Sequence, residues 1–453
     1  MTRPPFEALA GFVEAERQRL RIPGAALGII YEGETYTQGF GVTSVDNPLL
    51  VDADTLFQIG SISKTFAGTA AMRLVEQGKL DLDAPIRTYL PDLRLSSADL
   101  TAQVTLRHLF THTSGWSGDY FDDFGNGDDA LARYVAQMDT LPQLTPLGTL
   151  WSYNNAGFNL AGRVIEVVMG KTYEDAIKEL IFDPLGMTQT SFFPAEVMTY
   201  RFSVGHYSGA APTVARPWPI ARCSNPAGAI ASTANDMLRY ARFHLSGGLT
   251  DSGERLLQQQ TVDTMRSALF PAGNWADAVG VTFYLRDVNG TTTVGHGGST
   301  NGFRASLEMV PARAFALISL TNGDSGSILN EKATDWALEH FLGAKAPEPT
   351  PLTLSDDELA AYAGKYEAIL DRATLAVKDQ QLWLSLEALG GFPTRATPPP
   401  ADPFTAPMRA TFTAPDHIVI LDPPLEGSRA EFLRGADGKI EWFRVNGRIH
   451  RPL

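Results

Sequence analysis

Lys64 stands inside a stretch in which every other position from Ile62 to Leu74 is apolar, small or a hydroxyl, Arg73 excepted. Apolar or small residues fall on all faces of the helix this run forms, so it is a core helix. A lysine at such a place needs a partner or a task. Three residues upstream, at the mouth of the same helix, is Ser61 in Gly60-Ser61-Ile62-Ser63-Lys64-Thr65-Phe66. Spacing of three puts both side chains on one face, and the first turn also points unpaired backbone N–H groups at whatever Ser61 attacks. A neighbouring ammonium lowers the cost of the alkoxide; alternatively the desolvated amine takes the hydroxyl proton itself. A Ser-x-x-Lys alone is equally a capping serine and an exposed lysine, and only the apolar surroundings weigh against that.

The rest of the chain must build around this helix. Phe6 to Leu20 has amphipathic helical spacing, and Ala25–Tyr31 with Glu34–Phe40 forms a strand pair about the Glu32-Gly33 turn. Val104 to Gly115 holds His108 and His112 four apart, without the carboxylate of a zinc hydrolase, and is a short helix whose histidines bond nearby backbone. Trp116 to Leu147, rich in Gly and Asp, reads as surface or a site rim. Tyr153 and Asn155 sit where a loop enters the helix Ala156–Met169, closed by Gly170, and a second helix spans Tyr173–Phe182. Ala234–Leu245 is a helix capped by Ser232 or Thr233.

Val279–Asp287 and Thr291–Gly295 pair through Asn289-Gly290, with His296-Gly297-Gly298-Ser299 at the end of the second strand. Strands Arg304–Val310 and Ala314–Thr321 and the amphipathic helix Leu329–Phe341 close this part. The order suits a sheet covered by helices with a helical subdomain inserted. Past the extended Lys345–Pro351 linker, short strands dominate: Gly364–Ala368, Thr374–Lys378, Leu382–Leu386, His417–Leu421, Ala430–Leu433 and Ile440–Val445. Turns such as Asp437-Gly438 and Asn446-Gly447 separate them, and the proline-rich stretch Thr394–Ala406 is a loop. This is the pattern of a small antiparallel barrel. Domains are expected at residues 1–343 and 354–453, joined by a linker at 344–353.

Composition narrows the function classes. A formal net charge of -14 disfavours a nucleic-acid surface and provides no polybasic footing on a membrane. Cys223 is the sole cysteine among 453 residues, which excludes an internal disulfide and a thiolate metal cluster. Met1 to Glu7 lacks the apolar core of a signal peptide, and no stretch is long and apolar enough to span a bilayer, so a cytoplasmic location is expected.

Ser61-x-x-Lys64, Tyr153-x-Asn155 and His296-Gly297-Gly298, in this order and spacing, resemble the three active-site motifs of the serine β-lactamase and penicillin-binding-protein superfamily, its class C-like hydrolase branch above all. Val104-Thr105-Leu106-Arg107-His108-Leu109, His112-Thr113-Ser114-Gly115, Phe182-Asp183-Pro184-Leu185-Gly186-Met187 and Pro226-Ala227-Gly228 are similar to that family as well, so the likeness covers about residues 6 to 342. It implies an α/β (α+β) serine β-lactamase/transpeptidase-like fold. It also implies a Ser61 acyl-enzyme, proton transfers shared by Lys64 and Tyr153, and Asn155 holding the substrate amide or Lys64. The backbone N–H groups of Ser61 and Ser299 would form the oxyanion hole, and Gly297 and Gly298 would leave room for substrate along their strand.

Between two cationic partners the Tyr153 phenol is expected to ionise near neutral pH. His296 stands where β-lactamases and transpeptidases commonly carry Lys, offering a hydrogen bond in place of a fixed charge and arguing against β-lactam or cell-wall substrates. The C-terminal segment, through Leu359-Ala360-Ala361-Tyr362-Ala363-Gly364-Lys365-Tyr366, resembles the lipocalin-like barrels appended to peptidases and esterases of this branch. A structural or dimerising module is the other reading of it. The expected activity is hydrolysis of a small-molecule ester or peptide amide, as a carboxylesterase or D-specific peptidase or amidase, without metal or cofactor. Acyl transfer, β-lactam hydrolysis and silent ligand binding are the alternatives.

Overall fold

The computed structural model describes residues 6–209 and 211–453. Its larger part is built on a seven-stranded antiparallel sheet. The strands are β1 (Gly24–Tyr31), β2 (Glu34–Gly41), β3 (Ala278–Val279), β4 (Tyr284–Val288), β5 (Thr291–Thr300), β6 (Phe303–Val310) and β7 (Phe315–Thr321), in the order β2-β1-β7-β6-β5-β4-β3. β1 and β7 are buried almost throughout, as central strands covered on both faces must be. Helices α1 (Phe6–Arg19) and α5 (Gly326–Leu342) cover one face, where Leu9, Val13, Leu329, Ala333 and Phe341 pack on Leu27, Ile29 and Leu317.

On the other face lies the large core around α2 (Ser63–Glu76), α3 (Asn155–Met169) and α4 (Ala234–Leu245). Phe66 of α2 stacks on Tyr240 of α4 with ring centroids 3.9 Å apart. The inserted helical layer spans the elements between β2 and α4, as the sequence order implied. α3 begins where the Asn154 side chain accepts from Gly157 N, and ends at Gly170 in the left-handed conformation. α4 matches its expected bounds, with Thr233 as the cap.

Three local expectations are corrected. Ser61 does not open the α-helix but sits in a 3-10 turn, Gly60–Ile62, directly before it. The strand expected to stop at Gly295 runs on as β5 through His296 to Thr300, because β6 pairs with it from Val294 to Thr300. The Trp116–Leu147 segment is rim only in part: Trp116, Ser117, Asp119 and Tyr120 are buried, and a helix forms at Ala130–Val135.

Residues beyond the linker form a closed antiparallel barrel of eight strands: β8 (Gly364–Glu367), β9 (Asp371–Lys378), β10 (Gln381–Ala388), β11 (Met408–Ala414), β12 (His417–Ile420), β13 (Arg429–Arg434), β14 (Ile440–Val445) and β15 (Arg448–Pro452). β8 pairs with β15 to close it. The six expected strands are present; β11 and β15 were not anticipated. Leu375, Leu384, Met408, Phe412, Phe432 and Phe443 form the core of the barrel, which is thus packed with side chains.

The barrel is docked on the larger part by specific polar contacts. Arg444, which is 4% exposed, pairs with Glu431 and donates to Trp151 O at 2.8 Å. Asn274 answers from the other side, its N–H donating to Glu431 and its side chain to Ala430 O. A second seam joins the Thr394–Ala406 loop region to the rim: Phe392 packs edge-on against Phe121, and Arg395 N donates to Phe121 O at 2.8 Å. Among the described residues no helix is long and apolar enough to cross a membrane.

Candidate active site

Gly60 and Gly298 bring the first and third motifs together. Gly60 has φ +54, in the left-handed region, and a Cβ there would lie 2.4 Å from Ser299 N. A Cβ on Gly298 would lie 1.9 Å from Ile59 O. No side chain fits between the two backbones. The Ser61 and Ser299 amides therefore sit on facing segments at the head of α2, as a pair of oxyanion donors would. Gly297 and Ser299 are exposed on this edge, and Gly298 partly so. Their strand is open to a substrate laid along it.

Lys64 is fully buried. Its Nζ lies 3.0 Å from Ser61 Oγ and donates to Asn155 Oδ1 at 2.7 Å and to Ala227 O at 2.6 Å. Burial holds its pKa well below the ordinary lysine range; the Arg448 cation adds to that effect and the Asp119 carboxylate opposes it. A neutral amine has two N–H groups and one lone pair. With the two N–H groups on Asn155 and Ala227, the lone pair faces the Ser61 hydroxyl. Of the two roles open to Lys64 from the sequence, the geometry suits the amine that takes the proton.

Tyr153 lies just before α3, with Lys64 Nζ 4.9 Å from its ring centroid. The expected phenolate is not its resting form. Burial pushes the phenol up to about 12, and the pulls of Arg448 and Ser61 in the other direction are smaller. The expectation counted Lys64 as a cation; its burial removes that charge. Tyr153 is a proton donor here at neutral pH.

His112 stacks on Tyr153 at 4.6 Å and accepts from Asn154 N at 2.9 Å through Nδ1. His108 accepts from Thr105 N within a capping box. Both histidines bond backbone, as read from the sequence. His296 is buried between Tyr284 and Tyr153, with Nδ1 2.5 Å from Gly297 O. A carbonyl only accepts, so Nδ1 carries the proton and Nε2 is a bare acceptor without a partner among the described residues. Burial lowers the imidazole pKa to about 3. It is neutral, in keeping with the loss of a fixed charge at this motif.

Two further charged residues at the site were not singled out from sequence. Asp119, 6% exposed, accepts from Asn155 Nδ2 at 2.7 Å. Arg448, at the start of β15, donates to Asp119 from Nε at 2.9 Å and from Nη2 at 3.2 Å. Its guanidinium lies 4.6 Å from the Tyr153 ring centroid. The β14–β15 turn brings it there: Gly447 O accepts from Tyr153 N at 2.8 Å, and Ile449 N donates to Ser152 Oγ at 3.4 Å. The Asn446-Gly447 pair was the one signal, read only as a turn.

Comparison with known proteins follows the same outline. The beta-lactamase family model matches residues 9–340. Penicillin-binding protein 4 of Amycolatopsis lactamdurans is 32% identical over 367 residues, covering 78% of this chain and 95% of its own. The crystal structure of SurE superposes with a TM-score of 0.76 over 99% of both chains at 24% identity, so the fold is shared along the whole length, barrel included. The D-amino acid amidase of Ochrobactrum anthropi SV3 superposes at 0.62, covering 74% of this chain and 98% of its own at 25% identity.

Proposed function

The chain belongs to the beta-lactamase family of serine hydrolases, and from that premise we propose that it cleaves small amide or ester bonds through a Ser61 acyl-enzyme, acting as an amidase or peptidase on D-amino acid derivatives. The observation that carries the reading is Lys64 Nζ, buried, with two acceptors for its N–H groups and Ser61 Oγ as its third neighbour. Substrate class is supported by the likeness to the D-amino acid amidase.

In acylation the Ser61 proton passes to the Lys64 amine as Oγ attacks the carbonyl carbon. Charge developing on the carbonyl oxygen is met by the Ser61 and Ser299 N–H groups, aimed there before reaction. The resulting ammonium keeps Asn155 Oδ1 and Ala227 O as acceptors, which limits the cost of a buried cation. Its third N–H returns the proton to the leaving amine, by way of the Tyr153 hydroxyl. Water then attacks the ester, and the same groups run in reverse.

The test is a turnover panel of D- and L-amino acid amides, blocked and unblocked D-dipeptides, and short-chain p-nitrophenyl esters. Preferred turnover of D-amides or D-peptides is the expected result, with a free-amine requirement marking an aminopeptidase. Turnover of esters alone makes the protein a carboxylesterase and removes the amidase assignment.

A further inference from the structure

The three motifs do not include the buried Asp119 or its partner, the partly exposed Arg448. An asparagine amide fits its site in two orientations, and its partners decide between them. An ionised carboxylate only accepts hydrogen bonds. Asn155 therefore turns its NH2 to Asp119, at 2.7 Å, and its oxygen to Lys64, at 2.7 Å. Asp119 stays an acceptor because Arg448 pairs with both of its oxygens. Without Arg448 the buried carboxylate loses two of the three N–H donors that hold it. The carboxylate oxygens are then no longer fixed in place, and the Asn155 amide can turn over, which sets its NH2 against the N–H groups of Lys64.

We infer that Arg448 is a positioning residue for acylation: from the barrel, through Asp119 and Asn155, it holds Lys64 Nζ against Ser61 Oγ. The inference rests on the assignment of Ser61 and Lys64 as nucleophile and base. Docking of the barrel is thereby a condition for an active nucleophile, and the same turn that carries Arg448 binds Tyr153 N through Gly447 O. The titratable and charged groups around Lys64 are Tyr153 from the loop before α3, His112 behind it, His296 on β5, and Asp119 and Arg448 beyond Asn155. His112 and His296 are neutral, and Tyr153 is protonated. The Asp119–Arg448 pair is the one among these whose charge a substitution alters.

The experiment measures the rate of Ser61 modification by a small neutral fluorophosphonate, by intact mass, from about pH 6 to about pH 10 on full-length chains. Arg448→Gln is expected to slow it on the order of 100-fold and to shift the pH profile. Asp119→Asn in the Arg448→Gln background is expected to recover most of the rate, because an amide oxygen accepts from Asn155 without needing a cation. A near wild-type rate in Arg448→Gln overturns the inference, as does a loss that leaves the pH profile in place and that Asp119→Asn does not relieve. Should Arg448→Gln fail to fold, Asp119→Ala carries the test, since it leaves the barrel's residues intact; slowing with a shifted profile is expected, and a wild-type rate overturns the inference.

A crystal structure of Arg448→Gln gives a readout independent of activity. Lys64 Nζ and Asn155 Oδ1 are expected beyond hydrogen-bond distance, and an unchanged 2.7 Å contact contradicts the inference. If the wild-type chain takes no label at Ser61, the nucleophile assignment fails, and this structure alone decides the positioning relation.

Discussion

Arg448 of the barrel and Asp119 of the hydrolase part are joined by two N–H···O bonds, of 2.9 and 3.2 Å, one residue away from the Asn155 that holds Lys64. The site is thus assembled from both ends of the chain. The barrel begins behind a proline-rich linker, where an independent module with its own core would be expected, and it has that core. Its last hairpin nonetheless supplies backbone and charge to the second motif.

Docking should be measurable as stability. Arg444 and Glu431 form a buried pair under Trp151. Arg444→Ala leaves Glu431 buried without its cation, at a cost of about 3 to 5 kcal/mol. Chemical denaturation should show this, together with earlier loss of the barrel's protection in hydrogen exchange. A change within about 0.5 kcal/mol would mean that the pair is not buried in solution.

Acid sensitivity follows from buried neutral histidines, His296, His244 and His112 among them. Burial lowers His296 and His244 to about 3 and His112 well below its ordinary value. Between the unfolded value of 6.5 and about 3 the unfolded chain binds these protons and the native one does not, so stability is lost as pH falls through that window. The slope is about 1.4 kcal/mol per pH unit for each histidine. Urea midpoints measured from neutral pH down to pH 4 should decline accordingly, and His244→Phe should flatten the decline. An unchanged slope in that variant would contradict a neutral His244.

Tyr153→Phe removes a proton donor, not a phenolate. Acylation and deacylation should both slow by about 100-fold or more with little change in melting temperature. The pH limb of the wild-type rate should belong to Lys64, rising as the amine loses its proton, with none from Tyr153 below its value of about 12. Near-full activity of the variant at every pH would place Tyr153 outside the chemistry.

Gly298→Ala is expected to slow acylation strongly, since the added Cβ would stand 1.9 Å from Ile59 O and must push β5 away from the 3-10 turn. The two oxyanion donors would part, at a cost of about 10² to 10³ in rate. Wild-type labelling of this variant would show that the two backbones do not need to meet.

Most of the hydrolase part was legible because its elements are long and locally consistent. α4 with its Thr233 cap, the Asn289-Gly290 hairpin and the Gly170 stop each carry a local signal. β11 escaped because it emerges directly from a proline-rich loop, and β15 because it is a five-residue strand with two buried positions. Ser61, Lys64, Tyr153, Asn155 and His296-Gly297-Gly298-Ser299 were legible as spaced residue types, and the fold brings them together. Asp119 and Arg448 were not, since neither stands in a pattern of its own and they lie 329 residues apart in the chain. The error over Tyr153 has the same root: the charge on Lys64 is a property of its burial, which no spacing reports.

The account turns on a covalent ester at Ser61, formed with Lys64 as the base. Intact mass and peptide mapping of the wild-type, Ser61→Ala and Lys64→Ala chains after exposure to a fluorophosphonate test it most directly. One label per chain, on Ser61, is predicted for the wild type, none for Ser61→Ala, and labelling slowed by orders of magnitude in a folded Lys64→Ala; in turnover the double variant should be little worse than either single one. A wild-type chain that takes no label, or a Ser61→Ala chain that takes it as fast, would contradict the account.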